Sequence, residues 1–164
     1  MKTLTLLRHA KSSWKDPGLI DHDRPLNKRG KRDLPIMGER IRQAGVRPSL
    51  IISSTAVRAW RTAKGIADAI SYPREFLQRE QQLYHAGVER MLKVLAQQDP
   101  GFNSIMLVAH NPGLTDFANY LVPGVTDNIP TCGYLSVTID SDDWNLKGEK
   151  TVELLVYDFP KNKA

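Results

Sequence analysis

The stretch Thr3-Leu4-Thr5-Leu6-Leu7-Arg8-His9-Ala10 begins as an apolar run of strand length and passes into an arginine and a histidine. A run of this kind reads as a strand covered on both faces. Ser104-Ile105-Met106-Leu107-Val108-Ala109 repeats the pattern and also meets a histidine, His110. Between these two runs, and beyond them, helical and strand patterns alternate. Asn27 can cap a helix running toward residue 44, where Gly45 supplies a stop; Pro35 inside it predicts a kink or a later start. A second strand falls at residues 49–53. Ser54 or Thr55 then caps a helix whose stripe of Ala56, Trp60, Ala63, Ala67 and Ile70 makes Trp60 a core residue. A short strand is read at 75–77, and a helix at 88–98 with Met91, Leu92 and Leu95 inward. Pro112 opens a helix through Leu121. Two alternating runs, 134–139 and 152–157, read as paired strands joined across a polar turn at 141–148.

Strands alternating with helices predict an α/β fold: a single three-layer α/β/α domain over residues 1–164 with a mostly parallel central sheet. The length suits one domain with a real core. With 41% hydrophobic and 25% charged residues the composition is that of a globular protein. The net charge of +5 fits nucleic acid, a phosphate pocket or an acidic protein partner. The basic cluster Lys28-Arg29-Gly30-Lys31-Arg32 is followed by Asp33 and Glu39 and carries no interleaved aromatics. It therefore reads as a solvated helical face, and no nucleic-acid partner is expected. The longest apolar runs are too short to cross a bilayer. Met1-Lys2 leads into a strand rather than an apolar leader, and the single cysteine, Cys132, cannot form an internal disulfide. Together these predict a cytoplasmic protein without a membrane partner.

Ligands of such sheets bind beyond the carboxyl ends of the strands. Three strands end in polar residues with related chemistry: Arg8-His9, then Ser53-Ser54 with Arg58 one turn on, then His110. Arginine offers a planar fork that matches phosphate oxygens. Two helix starts add free N–H groups and a positive dipole end. A neutral imidazole can attack phosphorus, and a protonated one can stabilise the charge of the transferring group. The attacking imidazole is needed unprotonated, and the stabilising one is most useful protonated beside a bound dianion. Ser12 and Ser54 are further candidate donors to phosphate, although capping and turn-making suit them equally.

The residues Leu6-Leu7-Arg8-His9-Ala10-Lys11-Ser12-Ser13-Trp14 resemble the strand-plus-RHG motif of the histidine phosphatase superfamily, with Ala10 at the usual glycine. Arg58 in Ser53-Ser54-Thr55-Ala56-Val57-Arg58 resembles the second arginine of that family, and His110 in Val108-Ala109-His110-Asn111 its second histidine. The compact length and Arg24-Pro25-Leu26-Asn27-Lys28-Arg29-Gly30 are similar to the SixA branch, named for a phosphohistidine phosphatase. The resemblance implies that His9 becomes a phosphohistidine intermediate that water hydrolyses, with Arg8, Arg58 and His110 as catalytic and substrate-binding partners; Ser12 is a candidate binder from its own chemistry. The resemblance implies no metal and no organic cofactor. The partner would be a phosphorylated protein, a histidine phosphotransfer domain among the candidates, or a small phosphorylated molecule. The family's acid segment reads Gln82-Leu83-Tyr84-His85 here, which leaves Glu80 or the loop Asp21-His22-Asp23 as sources of an acid. A missing acid would matter less for a labile P–N bond.

Competing chemistries fit less well. A cysteine phosphatase needs an arginine six residues after its thiolate, and position 138 is Thr138; Cys132 reads as a buried, inert thiol. His22 and His85 read as loop residues, and Trp14 as a floor for the pocket. The alternatives to a phosphohistidine phosphatase are a phosphatase for a small phosphoester and a non-catalytic phosphate- or phosphopeptide-binding module.

Overall fold

The computed structural model describes residues 1–162, so the last two positions of the expected domain lie outside the described residues. In chain order the elements are β1 (Lys2–Arg8), α1 (Lys28–Gln43), β2 (Leu50–Ser54), α2 (Val57–Ala69) and β3 (Gln78–Glu80), followed by α3 (Val88–Ala96), β4 (Ser104–Ala109), α4 (Gly113–Leu121), β5 (Tyr134–Ile139) and β6 (Val152–Asp158). The strands form one sheet in the order β3-β2-β4-β1-β5-β6. The first four strands of the chain run parallel, and β5 and β6 are added antiparallel at one side. Among the described residues no helix is long and apolar enough to cross a membrane.

Side chains alternate across a strand, so each buried strand feeds two cores. Leu4 and Leu6 of β1 and Ile105 and Leu107 of β4 pack with Met91 and Leu95 of α3 and Leu114 and Phe117 of α4. Leu7, Met106 and Val108 face the other way, onto Met37 and Ile41 of α1 and Ala59, Ala63 and Ile66 of α2. Burying each such leucine or isoleucine contributes roughly 1.5–3 kcal/mol. The helices therefore cover both faces of the sheet. β1 is followed by a helix on one face and its neighbour β4 by a helix on the other, which opens a crevice between their carboxyl ends.

Several local expectations are corrected. α1 starts at Lys28, with the Asn27 side chain accepting from the Gly30 N–H, and runs unbroken through exposed Pro35. Burial of Met37 and Ile41 beyond it outweighs one missing hydrogen bond. The strand expected at 75–77 is a 3-10 turn at Arg74–Phe76, entered from Pro73. The true edge strand is the polar Gln78–Glu80, held by backbone pairing with β2 rather than by apolar burial. Trp60 is half-buried rather than core, with the Arg79 guanidinium stacked 4.2 Å from its ring centre, because the buried face of α2 is carried by Ala59, Thr62 and Ile66 beside Ala63 and Ala67. The segment at 141–148 is more than a polar turn: Trp144 and Leu146 are buried, and the Trp144 indole donates to the Phe102 carbonyl at 2.8 Å.

Gly30 ties the first helix to the loop after β1. A Cβ there would lie 2.2 Å from the Lys11 carbonyl oxygen, which already accepts from the Asn27 N–H at 3.0 Å. Alanine normally stabilises a helix relative to glycine. Here Gly30→Ala is expected to lower the melting temperature, with a cost of about 1–3 kcal/mol from overpacking. A melting temperature at or above wild type would contradict the close approach.

Candidate active site

Register places the two histidines. Arg8 is the Cα partner of Ala109 across β1 and β4, so His9 and His110 are the next residues of adjacent parallel strands. Their ring centres lie 5.0 Å apart. β2 flanks β4 on its other side and delivers Arg58 in the first turn of α2. Arg8, His9, Arg58 and His110 therefore line one cleft of about 240 Å³, together with Ser12, Asp21 and Arg24. The four residues expected to converge do so, and Ser12 joins them.

His9 is buried, and its Nδ1 lies 2.8 Å from the Ala10 carbonyl oxygen. A carbonyl only accepts, so Nδ1 carries the proton and Nε2 keeps its lone pair. Burial, seconded by the charges of Arg58, Arg8 and Arg24 and opposed by the Ala10 hydrogen bond, pushes the His9 pKa down to about 3. His110 is pushed down to about 2, by burial first and then by His9 and Arg58. Its Nε2 shares a 2.7 Å hydrogen bond with the Ser54 hydroxyl. Without a bound anion, burial and the neighbouring cations thus favour the neutral form of both His9 and His110. The Ser54 hydroxyl also accepts from the Ala56 N–H at 3.2 Å, so it serves His110 and the turn, while Ala56 occupies the cap position of α2.

Both guanidinium groups are braced by fixed acceptors. Arg8 donates to the Ile129 carbonyl at 2.9 Å, and Arg58 donates to the Asp21 carbonyl at 2.7 Å and the Asp21 carboxylate at 2.9 Å. Among the described residues, four buried side-chain N or O atoms have no hydrogen-bond partner, and three of them are Arg8 Nε, Arg58 Nε and His110 Nδ1. Buried polar atoms without partners are costly, and their concentration here marks a site built for an oxygen-rich group.

Asp21 is the carboxylate of this cleft. Burial raises its pKa, but hydrogen bonds from Tyr84 and Arg58 outweigh that and hold it well below the usual carboxylate range. It stays ionised and cannot act as an acid near neutral pH. Tyr84 donates to Asp21 at 2.5 Å and Arg24 at 3.0 Å. Arg24 also donates to the Ser12 hydroxyl at 2.6 Å and stacks 3.5 Å from the ring centre of Trp14. Trp14 is thus an exposed rim residue, 75% accessible, rather than a floor. Glu80 is corrected too: it does not line the cleft, and its carboxylate accepts from the Gln82 N–H at 3.2 Å. His22 contacts the Thr55 hydroxyl at 2.8 Å, while His85 lines the cleft mouth 4.0 Å from Asp21. Cys132 is buried with its thiol pushed up to about 12 by burial and by Asp33. Arg24 and Tyr84 are the site residues that sequence reasoning missed; the i,i+3 charge pair of Asp21 and Arg24 is the one local signal of the brace.

The two depressed histidines make a stability prediction. Between pH 6.5 and about 3 the unfolded chain binds protons that folded His9 and His110 refuse. Their contribution is fully present above pH 6.5 and is lost as the pH falls, by about 1.4 kcal/mol per pH unit for each group. Urea unfolding at pH 7 and pH 5 should show this, and His110→Gln should remove about half of the slope. Equal stability at the two pH values would contradict two buried neutral histidines.

The chain has relatives in sequence and in fold. The family model for the histidine phosphatase superfamily (branch 1) matches residues 4–81. An uncharacterised chloroplastic protein of Arabidopsis thaliana is 30% identical over 151 residues, covering 87% of this chain and 69% of that protein. Among solved structures, a protein of Agrobacterium tumefaciens named as a phosphohistidine phosphatase SixA superposes with a TM-score of 0.83 at 27% identity, over 97% of this chain and 98% of the other. A protein histidine phosphatase SixA complexed with tungstate shares the fold at a TM-score of 0.75 and 21% identity, covering 92% of this chain and 94% of its own.

Proposed function

From the premise that the chain belongs to the histidine phosphatase superfamily, on its SixA-like side, we propose that it removes phosphate from phosphohistidine on proteins. His9 Nε2 attacks phosphorus in line, forming a P–N bond as the bond to the leaving imidazole breaks. The leaving nitrogen takes a proton from solvent. Water then attacks the phosphohistidine, releasing inorganic phosphate and returning neutral His9. Arg8, Arg58 and His110 hold the phosphoryl oxygens as charge redistributes. Ser12, fixed by Arg24, adds a hydroxyl at the same cleft. The protein acts in the cytoplasm on a phosphorylated partner such as a histidine phosphotransfer domain.

The observation that carries this reading is the state of His9: one nitrogen fixed by the Ala10 carbonyl, the other unprotonated, in a cleft shared with buried Arg58 and half-buried Arg8. A nucleophile needs that state, and a binding module does not. Among the described residues the acidic side chain that lines the cleft is Asp21, which stays ionised, and Glu80 lies elsewhere; this favours a leaving group that needs little help. The test is phosphate release from a phosphohistidine protein and from small phosphoesters. A kcat/KM at least about tenfold higher on phosphohistidine is expected. Faster turnover of a phosphoester would assign the small-molecule reading, and binding without release would assign a non-catalytic module.

A further inference from the structure

Next to the loop that follows β1 the surface carries a strip in which cations outnumber acids. One recess of about 440 Å³ is lined by Lys15, Lys28, Arg29 and Lys31, and a second of about 320 Å³ by Lys31, Arg61 and Lys64. They share Leu26 and Lys31, so they are contiguous. No acidic side chain lines either one. Among the described residues Lys15, Lys28, Lys31 and Arg61 form no ion pair, whereas Arg29 is answered by Asp33 and Arg74, in the second recess, by Asp68. The first recess and the cleft share the loop after β1: Ser12 and Trp14 line the cleft, and Ser13 and Lys15 line the recess.

The strip is also fixed in register with the nucleophile. The Ser13 N–H donates to the Pro25 carbonyl at 2.8 Å, the Asn27 N–H donates to the Lys11 carbonyl at 3.0 Å, and Ser12 bridges to Leu26. Lys28 opens α1, where the positive end of the helix dipole adds to its charge. An anion held on this strip therefore sits at a set distance from His9.

We propose that this strip, from Lys15 along the start of α1 to Arg61, docks an acidic stretch of the phosphorylated protein substrate and supplies its specificity. The inference rests on the phosphatase reading only for what is attached to that stretch. Both recesses interleave cations with Leu26, Leu34 or Pro25 and contain no aromatic side chain. That mixture suits Asp and Glu side chains with their apolar stems, whereas single-stranded nucleic acid is met by aromatic stacking platforms. Charge complementarity of this kind governs association rate and partner choice.

Two phosphohistidine peptides, identical except for Asp/Glu or Asn/Gln flanks, test the proposal on the full chain. The acidic peptide should show a kcat/KM about tenfold higher at low ionic strength, with the advantage shrinking as salt rises. Lys28→Glu combined with Lys31→Glu should abolish the preference while leaving turnover of free phosphohistidine unchanged. Direct binding of the acidic peptide without its phosphoryl group, measured in wild type and in the double variant, gives the same answer independently of turnover. Equal binding by the two proteins, or an oligonucleotide displacing the acidic peptide at lower concentration than a second acidic peptide, would overturn the proposal. Loss of all turnover with salt-sensitive acidic-peptide binding intact would instead strike the phosphatase reading and leave the docking strip standing.

Discussion

Replacing His9 by alanine should abolish turnover, by about 10⁴-fold or more, because a nucleophile has no substitute in a site that works as a unit. Binding of phosphate or vanadate should survive, since Arg8, Arg58 and His110 remain in the cleft. The fold should survive as well. His9 sits past the end of β1, and its ring hydrogen bond goes to the carbonyl of the adjacent residue. The variant should also lose part of the acid sensitivity of stability, because a buried neutral imidazole is gone. Steady-state phosphate release, anion binding and urea unfolding on one preparation check all three. A folded His9→Ala protein that still turns over would end the assignment.

Removing Arg58 is the second large effect. Its guanidinium is buried at the wall of the cleft and is held there by Asp21 through both a carbonyl and a carboxylate. Losing one preorganised electrostatic donor costs about 10²–10³-fold in kcat, roughly 2.7–4 kcal/mol. Arg58→Ala should show that loss together with weaker anion binding. Arg58→Lys should recover only part of it, because an ammonium cannot present the planar fork. Asp21→Asn tests the brace separately. It leaves every phosphate-holding cation in place but loosens Arg58 and Arg24, so a smaller loss than Arg58→Ala is expected. A kinetically silent Arg58→Ala would contradict the convergent cleft.

The parts of this site that were legible before the structure share one property: each lies immediately after a buried strand. Arg8-His9 and His110 follow apolar runs whose register is forced by burial on both faces, and Arg58 follows a third such run by a single helical turn. Strand ends in a parallel sheet converge by construction, so residue type and position together carried the inference. Arg24 and Tyr84 lie in loops, where no periodicity connects them to the sheet, and their partner Asp21 lies 63 positions from Tyr84. The role of Tyr84 comes from tertiary contact, and that of Arg24 from its contact with Ser12 beside the local pair with Asp21. Trp60 was misread because an apolar stripe drawn through small alanines is ambiguous by one position, and the side that reached the core carries Ala59 and Ile66 instead. The edge strand Gln78–Glu80 carried no apolar signal, since backbone pairing with β2 creates it. The neutral state of His110 follows from burial and from the charges around it, neither of which a sequence displays.

The most direct test of the account is to trap the enzyme in mid-reaction. Rapid quench of the wild-type protein with a radiolabelled phosphoryl donor should place label on the protein in a bond that is labile in acid and stable in alkali. Peptide mapping should find it on His9 alone, and His9→Ala should carry none. Label on any other residue, or full single-turnover phosphate release with no labelled protein at any time, would contradict a His9 nucleophile.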